Sequence, residues 1–292
     1  MKTIELNKAS EFLDYLRLSN PRWGENLQQN SDWIFRGQRS QNWKIVPVAW
    51  REKDFNPLTP LIESIEPTDE QKNYDNKNQE VYENWIRAER SAIIEFVNGA
   101  EKIGADTTLS PRQHYRIRRD EAGGNPTVHD TAAAMAQHHG IPTRLLDWTT
   151  NPLTAAFFSS NSFQAKSTDT DKVCVYALNL PNVDSKYIDQ NNPYLQLKPP
   201  INSKNEYLRN QEGLLLEIVN PNKFFLDHGI WPNLEEVLKL NDLEDNLEQI
   251  TLPHSEAYEL LLMLDREGTK LSKLMPTLDN VASEIIQKWQ RE

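Results

Sequence analysis

One cysteine, Cys174, is all the thiol that this 292-residue chain contains. That excludes an internal disulfide framework and a four-cysteine zinc site, and it suits a reducing compartment. Within the apolar run from Lys172 to Leu180, Cys174 reads as a small buried hydrophobe. No apolar run reaches eighteen residues, and the start, MKTIELNKASEFLDYL, is acidic and amphipathic where an export signal is basic and then apolar. A cytoplasmic protein with no membrane partner is expected. Positive charge is also in deficit, with 32 Lys and Arg against 43 Asp and Glu and a formal net charge of -11. This argues against broad attraction to duplex nucleic acid or an anionic membrane. One local exception exists. Arg112, His114, Arg116, Arg118 and Arg119 form either a phosphate-seeking patch for a nucleic-acid partner or a solvated face balanced by Asp120 and Glu121. The imidazoles at 114, 129, 228 and 254 show no ligand spacing, so no metal is expected.

What is present supports a sizeable core: 38% hydrophobic residues, eight Trp, and nine each of Tyr and Phe. The length and patterning predict one α+β domain over residues 1–292, with a mixed or antiparallel sheet, flanking helices and a mainly helical C-terminal extension over 230–292. Strands are expected at Trp33 to Phe35, Lys172 to Leu180 and Gly213 to Val219, with a short one at Lys223 to Leu226. Helices are expected at Ala9 to Leu18, Val81 to Val97, Thr131 to His139 and Leu153 to Ser160, then at Trp231 to Leu240, Ser255 to Glu267 and Leu278 to Trp289. Residues 58–79, rich in Pro, Asp, Glu, Asn and Lys, read as a surface insertion.

The densest chemistry lies in QHHGIPTRLLDWTTNPLTAAFF, Gln137 to Phe158. Apolar periodicity is satisfied by Leu, Ile or Val. A run that spends His138, His139, Arg144, Asp147, Thr149, Thr150 and Asn151 between apolar anchors is building a polar site. Gly140 and Pro142 end the helix that carries the two histidines, and Asn151-Pro152 opens the next one.

Three stretches, WIFRGQ at Trp33 to Gln38, the run just quoted, and LRNQEGLLLEI at Leu208 to Ile218, together with KLMPTLDNVASEI near the C-terminus, resemble the FRG-domain family, named for its Phe-Arg-Gly motif. The resemblance spans roughly residues 30 to 290. The order of these stretches is also similar to the three-part layout of ADP-ribosyltransferases: a strand with Arg-Gly, a hydroxyl pair opening an Ala-rich helix, and a Glu at a strand start. It implies an ADP-ribosyltransferase-like core and an NAD-using enzyme that cleaves the nicotinamide-ribose bond, with a toxin or defence effector as its setting. Carried over, Arg36 holds the dinucleotide, Thr149 and Thr150 support the nicotinamide-ribose pocket, and Glu212 steadies the ribose cation. The second motif here reads Asp-Trp-Thr-Thr rather than Ser-Thr-Ser, and Gln211-Glu212-Gly213 lacks paired glutamates, so the acceptor stays open.

Glycosidic cleavage develops an oxocarbenium-like cation that a nearby carboxylate stabilises, and Glu212, with Asp147 and Thr149, forms the candidate catalytic set. A diphosphate needs bidentate cations or backbone N–H groups. Arg36, Gly37, Gln38, His138, His139, Arg144, Thr150 and Gln211 are the candidate NAD-binding set. Plainer readings stand beside these. Arg36 pairs with Asp147 to fix the fold, Thr149, Thr150 and Asn151 cap a helix, Glu212 is a solvated strand end, and Gln38 or Gln137 holds a loop. The alternative function is a nucleotide- or nucleic-acid-binding module without catalysis.

Overall fold

The computed structural model describes residues 1–24, 32–52, 56–66, 68–69, 71–74, 76–105, 107, 130–161, 172–180, 195–198, 209–218 and 221–289. In chain order these hold β1 (Lys2–Glu5), α1 (Ala9–Leu16), β2 (Trp33–Gln38), α2 (Thr59–Ser64), α3 (Lys77–Lys102), α4 (Asp130–His138), β3 (Leu145–Thr149), α5 (Pro152–Ser160) and β4 (Lys172–Asn179). They continue with β5 (Leu195–Lys198), β6 (Gly213–Ile218), α6 (Pro221–His228), α7 (Leu234–Leu240), β7 (Leu247–Pro253), α8 (Ala257–Arg266), α9 (Leu271–Leu274) and α10 (Leu278–Trp289). The class is α+β, as patterning predicts. One sheet runs β1-β7-β4-β2-β3-β6-β5. It is mixed, because β1 lies parallel to β7 while the other neighbours are antiparallel.

Period-two alternation divides the sheet between two cores. On β4, Cys174, Tyr176 and Leu178 face one side with Ile34, Trp148, Leu214 and Leu216, under Trp50, Trp85, Phe225, Trp231 and Leu234. Val173, Val175 and Ala177 face the other with Phe35, Ile250 and Leu252, under α1, α5 and α8. A third cluster packs Ile93 and Val97 of α3 and the alanines of α4 onto Leu145 and Leu215. Burial on both faces explains why KVCVYALN reads as one apolar run. Gly37 allows the closest approach: a Cβ there would stand 1.9 Å from the carbonyl oxygen of Ala155, so α5 lies directly on β2.

Several expectations change. The 230–292 part is mainly helical, as expected, but it also supplies β7, which patterning did not reveal and which inserts between β1 and β4. Its polar residues hide it from an alternation search, yet each is buried with a partner: Glu248 with Arg22, Gln249 with Tyr176, and Thr251 with the Ile4 carbonyl. The strand expected at Lys223 to Leu226 is helix α6, opened by Pro221 at its first position. Residues 58–79 are not only surface, for Leu58 and Ile62 enter the core and Gln71 is buried. β2 runs on through Gln38, so Arg36 and Gly37 are strand residues rather than the loop beyond it. β3, which alternation did not reveal, carries the middle of the central motif. The turn at Gly123 to Pro126 and the patch from Arg112 to Arg119 lie outside the described residues.

Candidate functional site

β2 and β3 are registered at Phe35 opposite Thr149, while β2 pairs with β4 along its whole length. Below that one pair the two strands separate, and a cavity of about 320 Å³ opens between them. Its walls come from β2 (Phe35, Arg36, Gly37), β3 (Asp147, Trp148, Thr149), α4 (Ala134, Gln137, His138) and α5 (Thr154, Ala155, Phe158). Gln211, Leu215 and Met275 close the remainder. Helical spacing explains each contribution: 134, 137 and 138 share one face of α4, and 154, 155 and 158 share one face of α5.

Arg36 occupies the place of the missing ladder. Its Nη1 donates to the main-chain carbonyl of Asp147 at 2.6 Å, replacing the amide that a paired strand would have offered. Nε is buried with no hydrogen-bond partner. Burial pushes its pKa down, and the nearby Asp147 carboxylate opposes that shift; the guanidinium stays charged. Asp147 keeps open surface, but that surface faces the cavity, and burial raises its carboxyl above the usual range against the opposing pull of Arg36 and Gln137.

A short relay holds that carboxylate. Leu145 N–H donates to Thr143 Oγ1 at 3.2 Å, so the threonine proton is directed to Gln137 Oε1. The Gln137 amide is thereby oriented with Nε2 donating to Asp147 Oδ1 at 2.6 Å. His138 lines the same wall, and burial first, then His139, lowers its pKa, so the neutral ring is favoured.

Thr149 Oγ1 donates to the Gln211 carbonyl at 2.6 Å and accepts from Asn151 N–H at 2.9 Å. Its hydroxyl therefore joins the start of α5 to the lead-in of β6. Asn151 caps α5 by accepting from Leu153 N–H, in agreement with the plainer reading.

The cavity therefore gathers Arg36, Gly37, His138, Asp147, Thr149 and Gln211 from the predicted set and leaves the others outside its lining. Glu212 is exposed at φ +49°, and Asn151 Nδ2 donates to its carboxylate at 3.0 Å. Thr150 is also exposed and bonds to the Glu212 carbonyl. His139 stacks on Phe96 with centroids 5.5 Å apart. Gln38 is buried with Oε1 unpartnered. Arg144 goes to the opposite face of β3, the parity of Leu146 and Trp148, where Nε and Nη2 donate to the buried Glu89 at 2.9 and 3.0 Å. Burial lowers and Glu89 raises its pKa, and the net direction is up. Two guanidiniums sharing one hollow, the arrangement expected for a diphosphate, does not occur with Arg144.

Glu89 and Thr143 were missed. Glu89 had a signal: it sits four residues after Trp85 and four before Ile93, a lone carboxylate on the core face of α3. Among the described residues no group of three His, Cys, Asp or Glu could hold a metal, and no helix is long and apolar enough to cross a membrane.

The splayed β2–β3 cleft, with the arginine of Phe-Arg-Gly at its base, coincides with a family match. Residues 31–168 match the family model of the FRG domain. No curated protein and no solved structure matches the chain. The FRG match contains Arg36, Gln137, His138, Asp147 and Thr149 but ends before Gln211, Leu215 and Met275. The matched segment thus supplies Arg36, His138 and Asp147, and the later chain closes the wall.

Proposed function

We propose that this FRG-domain protein is an ADP-ribosyltransferase-like enzyme that cleaves the nicotinamide-ribose bond of NAD, with Asp147, rather than Glu212, as the carboxylate at the reacting carbon. The observation that carries this reading is the convergence of Arg36, Gln137, His138, Asp147, Thr149 and Gln211 on one cavity whose other walls are mostly apolar. A few convergent polar groups in an apolar hollow, including residues with shifted pKa values, are the usual marks of a ligand site. At about 320 Å³ the cavity stands at the small end of the range of roughly 300–1,000 Å³ for ligand pockets, which suits one nucleoside-sized half of a dinucleotide.

NAD supplies the scissile glycosidic bond, and the residues here supply binding and charge. Arg36, in the cavity wall, supplies positive charge for an anion. Asp147, one oxygen held by Gln137, directs the other at the cavity, where a fixed carboxylate stabilises positive charge developing on a ribose carbon. Phe35 and Phe158 exclude water and strengthen that interaction. Runaway NAD cleavage would harm a cell, in keeping with a toxin or defence setting.

The test is free nicotinamide released from NAD. Wild type is expected to release it, Arg36→Gln and Asp147→Asn to lose release by at least about 100-fold, as removal of an electrostatic catalytic group does, and Glu212→Gln to retain it. Release that survives Asp147→Asn and disappears in Glu212→Gln overturns the assignment. The second reading, a nucleotide-binding module without catalysis, is favoured by one observation: Arg36 and Asp147 each already serve the fold, one through the β3 carbonyl and the other through Gln137. It predicts thermal stabilisation by NAD without cleavage, about 2.7 kcal/mol at 100-fold over Kd.

A further inference from the structure

We propose that helix α10 pairs antiparallel with α10 of a second copy of this chain, about a two-fold axis, and that the protein forms a homodimer through this helix. The proposal goes beyond the reading above and does not depend on it. An amphipathic helix usually lays its apolar stripe on the body and turns its polar residues outward. α10 does the reverse. Its inward side is polar: Asn280 Nδ2 donates to the Met275 carbonyl at 2.7 Å, and the Glu284 carboxylate accepts from the Ser272 N–H at 2.6 Å and from Ser272 Oγ at 2.7 Å. Thr277 Oγ1 accepts from the Asn280 N–H at 3.1 Å at the helix start. Bonds from 280 and 284 to α9 and the residue after it fix the rotation of α10 about its own axis. Leu278, Val281, Ala282, Ile285, Ile286 and Trp289, which share the other side at helical spacing, are all exposed.

The exposed area is large. Leu278 is 88% exposed and Trp289 67%, with Val281, Ile285 and Ile286 between 42% and 49%. Together they present on the order of 600 Å² of apolar surface, the top of the range for a single patch on a monomer. Two such patches bury about 1,200 Å², the lower bound for a specific protein–protein interface. Side-chain size selects a second copy, running antiparallel, as the occupant. With the two-fold axis between positions 283 and 284, Trp289 of one helix covers Leu278 of the other, and Ile285 fills the space over the small Ala282. A parallel pair would set Trp289 against Trp289 and Ala282 against Ala282, crowding one level and leaving another empty. Antiparallel helix dipoles also attract. A membrane surface fits less well, because Asp279 and Glu284 outnumber Lys288 on a helix whose polar face would need Lys and Arg.

Sedimentation equilibrium of the full chain over a concentration series tests this. Wild type is expected to move from the mass of one chain, 33.9 kDa, toward twice that value. Ile285→Glu with Trp289→Ala together should weaken association by at least about 100-fold, as loss of a central aromatic anchor does. Ile103→Glu, at the 81% exposed end of α3, should leave it unchanged. Because the substituted side chains are exposed, Tm measured at a dilution where wild type is a single chain should not move, so lost pairing is not lost folding. Cysteine pairs read the direction. Under mild oxidation a mixture of Leu278→Cys and Trp289→Cys should cross-link, whereas Leu278→Cys by itself should not, since its two thiols would stand about 16 Å apart along the helix axes. The native Cys174 is buried. A single mass at every concentration, a dimer that survives the Ile285 and Trp289 changes, or cross-linking of Leu278→Cys by itself overturns the proposal. Capture on phosphatidylcholine vesicles through Ile285 and Trp289, with no pairing in solution, does so as well.

Discussion

Arg144 donates from its main-chain N–H, Nε and Nη2 to the single carboxylate of Glu89, whereas Arg36 donates to one main-chain carbonyl and leaves Nε bare. Arg144 lies within the central motif and Arg36 on the strand beside it, and both have apolar neighbours. The difference between them separates a cation that completes a core from one held ready at a cleft. Glu89 is 1% exposed, so the ion pair on that side of β3 is closed and its hydrogen bonds are spent internally. At Arg36 the ladder is interrupted and the guanidinium bridges the gap, with Nε buried and unpartnered at the edge of the cavity. Electrostatics alone does not distinguish them. The distinction lies in which groups have partners.

The sharpest way to break the contrast is to remove the closed pair. Glu89→Ala leaves Arg144 buried and uncompensated and should cost about 3–5 kcal/mol in denaturant unfolding, with the cavity residues untouched. An unfolding midpoint near wild type would mean that Arg144 is as free as Arg36. Gly37→Ala comes next. A methyl group driven against the Ala155 carbonyl at 1.9 Å should cost at least about 1–3 kcal/mol, as overpacking does. If the variant is fully stable, α5 does not rest on β2 as described. Arg36→Gln should be milder for folding, about 1–2 kcal/mol for one hydrogen bond from a charged donor, while ligand binding falls sharply. A stability loss as large as that of Glu89→Ala would assign Arg36 to the fold instead.

Two pH effects are smaller. The folded-state pKa of Asp147 is raised, so folding favours its protonated form, and the ionised carboxylate destabilises the protein once pH exceeds that value. Asp147→Asn is therefore expected to melt higher than wild type near pH 8. The advantage should vanish below the ordinary aspartate value of about 3.9. A constant difference across that window would show that ionisation is not its cause. His138 runs the other way: its lowered pKa means that stability declines as pH falls from about 6.5 through the folded value. His138→Gln should flatten that acid-side decline in a Tm-against-pH series.

Much of the architecture could be read from residue patterning, and the exceptions have a common cause. Helix α3, with Trp85, Ile93 and Val97 inward, and helix α5, with Asn151 at its cap and Pro152 after it, follow from local spacing and capping. β7 was hidden because Glu248, Gln249 and Thr251 look like surface residues until Arg22, Tyr176 and Ile4 arrive from distant parts of the chain to satisfy them. α6 was misread because paired phenylalanines favour a strand when judged alone. At the site, His138, Asp147 and Thr149 stood out, with Arg144, as polar residues without a packing reason, while Arg36, Gln211 and Glu212 came from the motif resemblance; neither signal says which way a side chain faces. Gln137 gained its role only through Thr143, whose hydroxyl orients the amide toward Asp147.

By itself the amino-acid order determined that this chain folds into an α+β body, that it carries the Phe-Arg-Gly signature, and that polar chemistry is concentrated between Gln137 and Asn151. Periodicity and capping are local, and a single segment contains their whole cause. Only the tertiary structure decided that β2 and β3 part beyond Phe35, that Arg36 and Asp147 meet in the opening, and that Arg144 turns away to Glu89. Those outcomes depend on which strands become neighbours and on the parity of each side chain across the sheet, and a one-residue change of register reverses that parity without altering the composition of any segment.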